Sequence, residues 1–336
     1  MKKVLIIFTS LLLLVLGACS SQSSDSGEDS GSGGKEKSNF PTKNITLVAP
    51  ATPGGGWDTT ARSMKKVLKG KKLVEKPISV INKPGGSGEV GWKYLEKQDG
   101  HTLAINSSLV ITNHLLGHSE LTYKQFTPIA ILTTEWMALV VPSDSKFESG
   151  KALLEQLKKD PKSVKIAIAP GLGNDAHLSF VEACNTFGVD VSQINFLIYG
   201  SGGDQVQALV GNHVDAAMMS VSEIKQQYKA GKVDILAVTS GERLSDLKDV
   251  PTWKEQGIDV VFPHWRGVMG PPDMSQAAID FWDKKIGKMV KTDAWKEVLA
   301  NNQWESFYKD SSETKKFLKA QVEKYQELVK SAGLVK

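Results

Sequence analysis

Four times in this 336-residue chain a short run rich in β-branched residues stops at a glycine-rich turn and resumes with helical spacing. No other feature limits the fold as much. Ile45-Thr-Leu-Val-Ala49 feeds Pro53-Gly-Gly-Gly-Trp-Asp58 and a helix through Leu68, and Ile78-Ser-Val-Ile81 feeds Lys83-Pro-Gly-Gly-Ser-Gly88 and a helix through Lys97. Val164-Lys-Ile-Ala-Ile-Ala169 feeds Pro170-Gly-Leu-Gly-Asn-Asp175 and a helix to about Phe187. Asn195-Phe-Leu-Ile-Tyr199 feeds Gly200-Ser-Gly-Gly-Asp204 and a helix to Val210. Strands alternating with helices of this length predict an α/β chain with mainly parallel sheets. Further strands are expected at Thr102–Ile105, Met137–Val141, Val214–Met218, Ile235–Thr239 and Gly267–Met269.

Such turns have a chemical consequence. The first N–H groups of a helix lack intrahelical partners and sit at the positive end of its dipole, so a glycine turn there can receive a phosphate or carboxylate. Any one of the four glycine clusters is equally well explained as a tight turn. Four together, at the carboxyl ends of strands where open α/β sheets bind ligands, favour an anion site. At the C-terminus, apolar residues at 317, 318, 322, 325, 328 and 329 predict an amphipathic helix over 312–330, with Asp310 and Glu313 as a capping box.

The first forty residues point outside the cytoplasm. Lys2 and Lys3 precede an uncharged, mostly apolar stretch from Val4 to Leu16, which ends in Leu16-Gly-Ala-Cys19. As a helix that stretch rises only about 20 Å against roughly 30 Å of hydrocarbon, so it reads as a secretory signal (residues 1–18), not a membrane span. Leu-Gly-Ala-Cys resembles the bacterial lipobox, which implies that Cys19 is lipidated and begins the mature chain, with palmitate among its acyl groups. Residues 20–37 are nearly all Ser, Gly, Asp, Glu and Lys and cannot bury enough apolar surface to offset their ordering entropy. They read as a flexible tether, so the region 19–39 links an anchor to a folded body beginning near Phe40.

The net charge is +4, and +2 once Lys2 and Lys3 leave with the signal, too little and too scattered for nucleic-acid binding. Beyond Cys19 the one cysteine is Cys184, in a helical run, expected as a small buried apolar residue. Gly86-Ser-Gly-Glu-Val-Gly91 matches a dinucleotide fingerprint, yet the next strand ends in Asn106-Ser107-Ser108 instead of the acid that would hold a ribose. His114 and His118 share a helical spacing, but the Leu-Leu-Gly between them lacks the glutamate of a zinc protease. No cofactor, metal site or catalytic residue is therefore expected, and the chain is read as a binding protein, not an enzyme.

From about Ile45 to Glu297 the sequence resembles the substrate receptors of tripartite tricarboxylate transporters, the TctC-like or Bug-type solute-binding proteins. The likeness rests on ordered pieces. Ile45 through Arg62 is similar to the family's strand, P-x-x-P-G-G-x-x-D loop and helix. Asn82-Lys-Pro-Gly-Gly-Ser-Gly88 resembles its second glycine loop, and Tyr123-Lys-Gln-Phe-Thr-Pro-Ile-Ala130 the segment before the first interdomain crossing. Ala169-Pro-Gly-Leu-Gly-Asn-Asp-Ala-His177-Leu178 corresponds to a loop before S-x-x-H-L, with Asp-Ala where Ser or Thr is usual. Tyr199-Gly-Ser-Gly-Gly-Asp204, Gly211-Asn-His-Val-Asp215, Leu236-Ala-Val-Thr-Ser240 and Asp249-Val-Pro-Thr252 complete the order.

The resemblance implies a two-lobed periplasmic-binding-protein type II fold, a Venus flytrap. One lobe would comprise residues 40–134 with 270–336, the other 135–269. It implies an extracytoplasmic, membrane-anchored monomer that captures a small di- or tricarboxylate and delivers it to large and small permease subunits. A sensor subunit for a signalling partner, or an extracellular enzyme on the same scaffold, are the alternatives. On this reading the carboxylate meets Thr52, Gly54, Gly55, Gly56, Trp57 and Asp58 from one lobe and Gly171, Gly173, Asn174 and Asp175 from the other. Ser107, Ser108 and Tyr199 add hydrogen bonds. Asp58 either stabilises its own helix or accepts from a ligand hydroxyl, amine or water. Trp57 either closes over the ligand or packs in the core. Arg266, in His264-Trp-Arg-Gly267, either clamps a second carboxylate in bidentate fashion or forms an interdomain salt bridge.

Overall fold

The computed structural model describes residues 39–169, 171–200 and 202–335. The expected signal peptide, Cys19 and the tether through residue 38 lie outside the described residues.

All four glycine turns join a strand to a helix. β1 (Ile45–Ala49) leads to α1 (Gly56–Gly70), β2 (Ile78–Asn82) to α2 (Glu89–Leu95), β5 (Lys165–Ile168) to α5 (Asp175–Phe187) and β6 (Asn195–Ile198) to α6 (Gly202–Val210). In α1, Ala61, Met64, Val67 and Leu68 recur at helical spacing and are buried, while Arg62, Lys65 and Lys66 stay exposed. Burying each of the larger side chains stabilises the fold by roughly 1.5–3 kcal/mol. In α5 nearly every residue from Asp175 to Cys184 is buried, so that helix lies inside the body and not on its surface. Cys184 is fully buried there, and burial pushes its thiol pKa up.

The parallel ladders fall into two sets, each built around strands that lead into glycine turns. β1 pairs in parallel with β2 and with β3 (Thr102–Asn106); β5 pairs in parallel with β6 and with β7 (Ala216–Ser220). Between the two sets run β4 (Thr127–Pro142) and β9 (Pro263–Gly270), and β8 (Val233–Val238) and β10 (Glu305–Lys309) also pair with β4. Every pairing that β4 makes is antiparallel. The α/β expectation thus holds, and the antiparallel partners are added where the chain passes between the two parallel sets.

β4 is 16 residues long, far beyond the Met137–Val141 run read from the sequence. Pro128 hides its first half: proline removes a ladder donor, and here it sits where the β4–β9 register shifts between Pro128 and Ala130. From Thr127 to Trp136 this strand pairs with β9, and from Met137 to Pro142 with β7 and β8. β9 likewise extends past its expected Gly267–Met269 core, because its first half carries Pro263, His264 and Arg266.

The C-terminal third adds two helices and a strand that apolar periodicity alone did not reveal. α8 (Gln276–Met289) starts at Ser275, whose hydroxyl accepts from Ala278 N–H, and α9 (Asp293–Asn302) starts at Thr292, which accepts from Trp295 N–H. α10 (Ser311–Ser331) has the expected capping box: Glu313 N–H donates to Asp310 at 2.9 Å and Asp310 N–H to Glu313 at 3.2 Å. It buries Leu318, Tyr325, Leu328 and Val329 and is fastened to α5 by Lys324–Glu182 at 2.7 Å and Asn185–Ser331 at 2.7 Å. No helix among the described residues is long and apolar enough to cross a membrane.

Candidate functional site

A cavity of about 360 Å³ opens where the carboxyl ends of the parallel strands from both sets converge. Gly55, Gly56 and Trp57 reach it from the start of α1, Ser107 and Ser108 from the end of β3, and Asn174, Asp175 and Ala176 from the start of α5. Its other walls are Glu135 and Met137 on β4, Gly200, Gly202 and Gln205 around α6, Met219, Ser220 and Glu223 after β7, and His264 and Arg266 on β9.

Two helix N-termini face this space with free donors. Gly55, the N-cap of α1, has no side chain to cap with, and no acceptor among the described residues takes up the N–H groups of Gly56, Trp57 or Asp58. In α5, Asn174 accepts from His177 N–H at 2.9 Å, leaving the N–H groups of Asp175 and Ala176 without acceptors among the described residues. The Asn174 amide also donates to Ala169 O at 2.5 Å, which fixes that loop against β5.

Positive charge is concentrated at α1. A Cβ added to Gly56 would lie 2.6 Å from Arg266 Nη2, so only glycine at the start of α1 lets the guanidinium pack this close. A cation beside a helix N-terminus is unfavourable by itself. Here Arg266 is held by an ion pair with Glu135 and by the face of Trp304, 5.0 Å from its Cζ. Burial opposes ionisation of Glu135, but Arg266, His264 and the Ser222 hydroxyl together outweigh it and hold its carboxyl below the usual range. Ser222 donates to the second Glu135 oxygen at 2.7 Å. Glu223 behaves oppositely: burial and the nearby Glu135 raise its pKa, although Ser220 donates to it.

Of the residues nominated from sequence, Gly55, Gly56, Trp57, Ser107, Ser108, Asn174, Asp175 and Arg266 line this one cavity. Trp57 does both things considered for it, since it lines the cavity and packs on Trp92 with ring centroids 5.6 Å apart. Asp58 turns away and braces the loop: it accepts from Gly54 N–H at 2.9 Å, Arg62 Nε at 2.8 Å and Asn82 Nδ2 at 2.8 Å. Burial works against its ionisation, and those three donors more than compensate, leaving its pKa lowered. Gly54 is thereby held at φ +86°, a conformation that suits glycine. Thr52 accepts from Gly55 N–H at 3.3 Å within the same turn and does not line the cavity. Gly171 lines a separate hollow with Leu116 and His118, and Gly173 donates its N–H to His177 Nδ1 at 3.1 Å. Tyr199 packs partly buried against the core beneath β6.

Sequence reasoning did not nominate Glu135, Gln205, Ser220, Glu223 or His264. A signal existed for Glu135, the one charged residue in the Thr127–Pro142 run. His264 is two residues from Arg266 and so on the same face of the strand.

Comparison with known proteins accounts for this architecture. A family model described as "Tripartite tricarboxylate transporter family receptor" matches residues 61–334. The chain belongs to the tripartite tricarboxylate transporter receptor family. A relative from Pseudomonas sp. (strain P51), the "UPF0065 protein in tcbD-tcbE intergenic region", is 29% identical over 260 residues, 75% of each chain. Among solved structures, one from R. palustris with adipate has a TM-score of 0.75 at 22% identity, covering 88% of this chain and 99% of its own. MatC from Rhodopseudomonas palustris with bound malate has a TM-score of 0.71 at 20% identity, covering 86% of this chain and 100% of its own. The receptor family and these neighbours are solute-binding proteins, not enzymes.

Proposed function

We propose that this receptor is a lipid-anchored extracytoplasmic protein that captures a small carboxylate in the cavity and delivers it to the large and small membrane subunits of a tripartite transporter. The observation that carries the carboxylate is the meeting of α1 and α5, whose free N–H groups face one cavity beside Arg266. An anion there relieves the crowding of Arg266 against the positive end of α1. Each helix terminus contributes roughly 0.3–1 kcal/mol to a carboxylate when exposed, and up to about 2 kcal/mol when partly buried. Net hydrogen bonds from Ser107 and Ser108 at about 1 kcal/mol each bring micromolar affinity within reach.

On this reading residues 40–134 with 270–336 form one lobe and 135–269 the other, and the lobes close on the ligand. The change of β4 partners between Trp136 and Met137 supports a boundary there. The lipobox-like Leu16-Gly-Ala-Cys19 supports the anchor, and the tether keeps the body at high effective concentration near its permease. Calorimetry with succinate, glutarate, malate, adipate and citrate tests the carboxylate. Saturable one-to-one binding of at least one, lost in Gly56→Asp, is expected; binding of none contradicts the reading.

A further inference from the structure

Charge is unevenly placed on the folded body. Between Gly56 and Lys72 stand six basic residues and one acid, and between Gln276 and Asn302 five lysines and four acids. These two stretches, which hold α1, α8 and α9, therefore carry +6. The chain without Lys2 and Lys3 carries +2, which leaves −4 for everything else.

The three helices form one layer. α1 packs on α8 and on α9, and Met64, Leu68, Trp282, Ile286, Trp295 and Val298 share the core beneath them. Lys66 and Lys71 line a groove with Ala294 and Glu297 of α9. Lys296 and, more distantly, Lys71 lower the pKa of Asp293. Sequence spacing decides what this layer shows to solvent. Trp282, Ile286 and Met289 are buried, and each is followed two residues later by Lys284, Lys288 or Lys291, about 200° further round the helix and so on the opposite face. On α1, Lys65 and Lys66 point away from the buried Ala61, Met64 and Leu68, and Lys71 and Lys72 continue the row past its end. All seven lysines are exposed, and none forms a salt bridge among the described residues, whereas Arg62 is tied to Asp58 and Lys296 to Asp293.

The chain enters the body on the same side. Phe40 packs edge-on against Phe281 of α8 with ring centroids 5.1 Å apart, and Lys285 Nζ lies 5.4 Å from that Phe281 ring. Cys19 is 21 residues upstream of Phe40, so a lipid there tethers the bilayer to this side of the body.

We propose that the lysine face of α1, α8 and α9 is a docking surface for the anionic phospholipids of the bilayer that holds the anchor. This rests on the lipid-anchored placement proposed above. An uncompensated cationic face attracts an anionic surface, but only within a Debye length, about 8 Å at physiological salt. The face therefore orients a body already held by its anchor and does not hold an unanchored one. α1 starts at the cavity and runs about 20 Å to Gly70, so the lysines toward its far end stand clear of the carboxylate site.

The test is vesicle co-sedimentation of the mature chain produced from residue 20 onwards, which lacks only the signal and the lipidated residue. Vesicles of equal parts phosphatidylglycerol and phosphatidylcholine are compared with vesicles of phosphatidylcholine alone. At low salt, where charges act over about 30 Å, binding to the anionic vesicles is expected to be at least tenfold tighter, with the difference lost as salt rises to about 150 mM. Lys65→Glu, Lys66→Glu, Lys284→Glu and Lys288→Glu together should bring the two affinities within twofold of each other. Lys151→Glu, Lys159→Glu, Lys229→Glu and Lys232→Glu, at exposed positions on other elements, change the net charge equally and should leave at least half of the preference. A four-glutamine version of the first set, gentler on folding, should lie between. No preference in the parent, a preference that survives the first set in a folded protein, or equal loss in both sets would overturn the inference. Each of these outcomes leaves lipidation at Cys19 standing, because no lipidated residue is present.

Discussion

His264 Nδ1 lies 2.5 Å from Oδ2 of Asp175, which ties β9 to the first residue of α5. The other Asp175 oxygen accepts from Tyr325 Oη of α10 at 3.3 Å, and Tyr325 in turn accepts from Trp265 Nε1 at 3.1 Å. Burial, and after it the Asp175 charge, push the Tyr325 pKa well up, so the phenol keeps its proton and donates it. One buried carboxylate thus aligns a cavity-facing helix with two elements that lie far away in sequence. His264→Ala removes one of its two donors, at a cost of about 1–3 kcal/mol. We expect a lower unfolding temperature and carboxylate affinity weakened about tenfold; calorimetry on the variant checks the second.

Arg266 and Glu135 form a buried pair, so removing one partner strands the other. Arg266→Ala should destabilise the chain by about 3–5 kcal/mol and weaken carboxylate binding tenfold or more. The double variant with Glu135→Ala should recover part of the stability but none of the affinity. Denaturant unfolding and titration of both variants separate these effects, and unchanged affinity in Arg266→Ala would remove the guanidinium from the site.

Gly56→Ala places a methyl 2.6 Å from Arg266 Nη2. The guanidinium is the end of a flexible side chain and can retreat, so the fold should survive with little change in unfolding temperature. Its retreat would displace the guanidinium that packs against the start of α1, and binding should weaken by roughly tenfold. Comparison with Gly55→Ala, where the added atom meets nothing closer than 3.5 Å, isolates the clash.

What the sequence made legible followed from local rules. Glycine turns, β-branched runs and the Asp310–Glu313 box are short-range signals, and the helices they predict start and stop close to the expected positions. The two anion-facing helix ends were legible for the same reason. Glu135 and His264 were not, because their positions depend on β4 and β9, whose polar residues and prolines break the alternation that marks a strand. Asp58 shows the converse: an acid beside a glycine loop looks like a ligand contact until Gly54, Arg62 and Asn82 are seen to use its oxygens.

Acid should loosen the site through His177. Its ring is 1% exposed, stacks edge-on to Phe196, and accepts Gly173 N–H at Nδ1, so burial lowers its pKa from 6.5 to about 4. A histidine depressed in the folded state supplies stability above its unfolded pKa and loses it as pH falls. Up to about 3 kcal/mol should therefore disappear between pH 6.5 and 4. His177→Gln should flatten that part of the stability–pH curve measured by urea unfolding.

Cys19→Ser tests the anchor separately from the cavity. The variant should be released from the membrane fraction to the soluble extracytoplasmic fraction, with ligand binding unchanged. Equal membrane association of both forms would refute lipidation at Cys19.

The most direct test of the central claim compares small carboxylates with their methyl esters, which keep the shape and lose the charge. For glutarate, 2-aminopentanoate and 5-aminopentanoate the account predicts that at least one acid raises the unfolding temperature of the full chain and its ester does not. Esters as effective as their acids, or no shift from any acid, would contradict it.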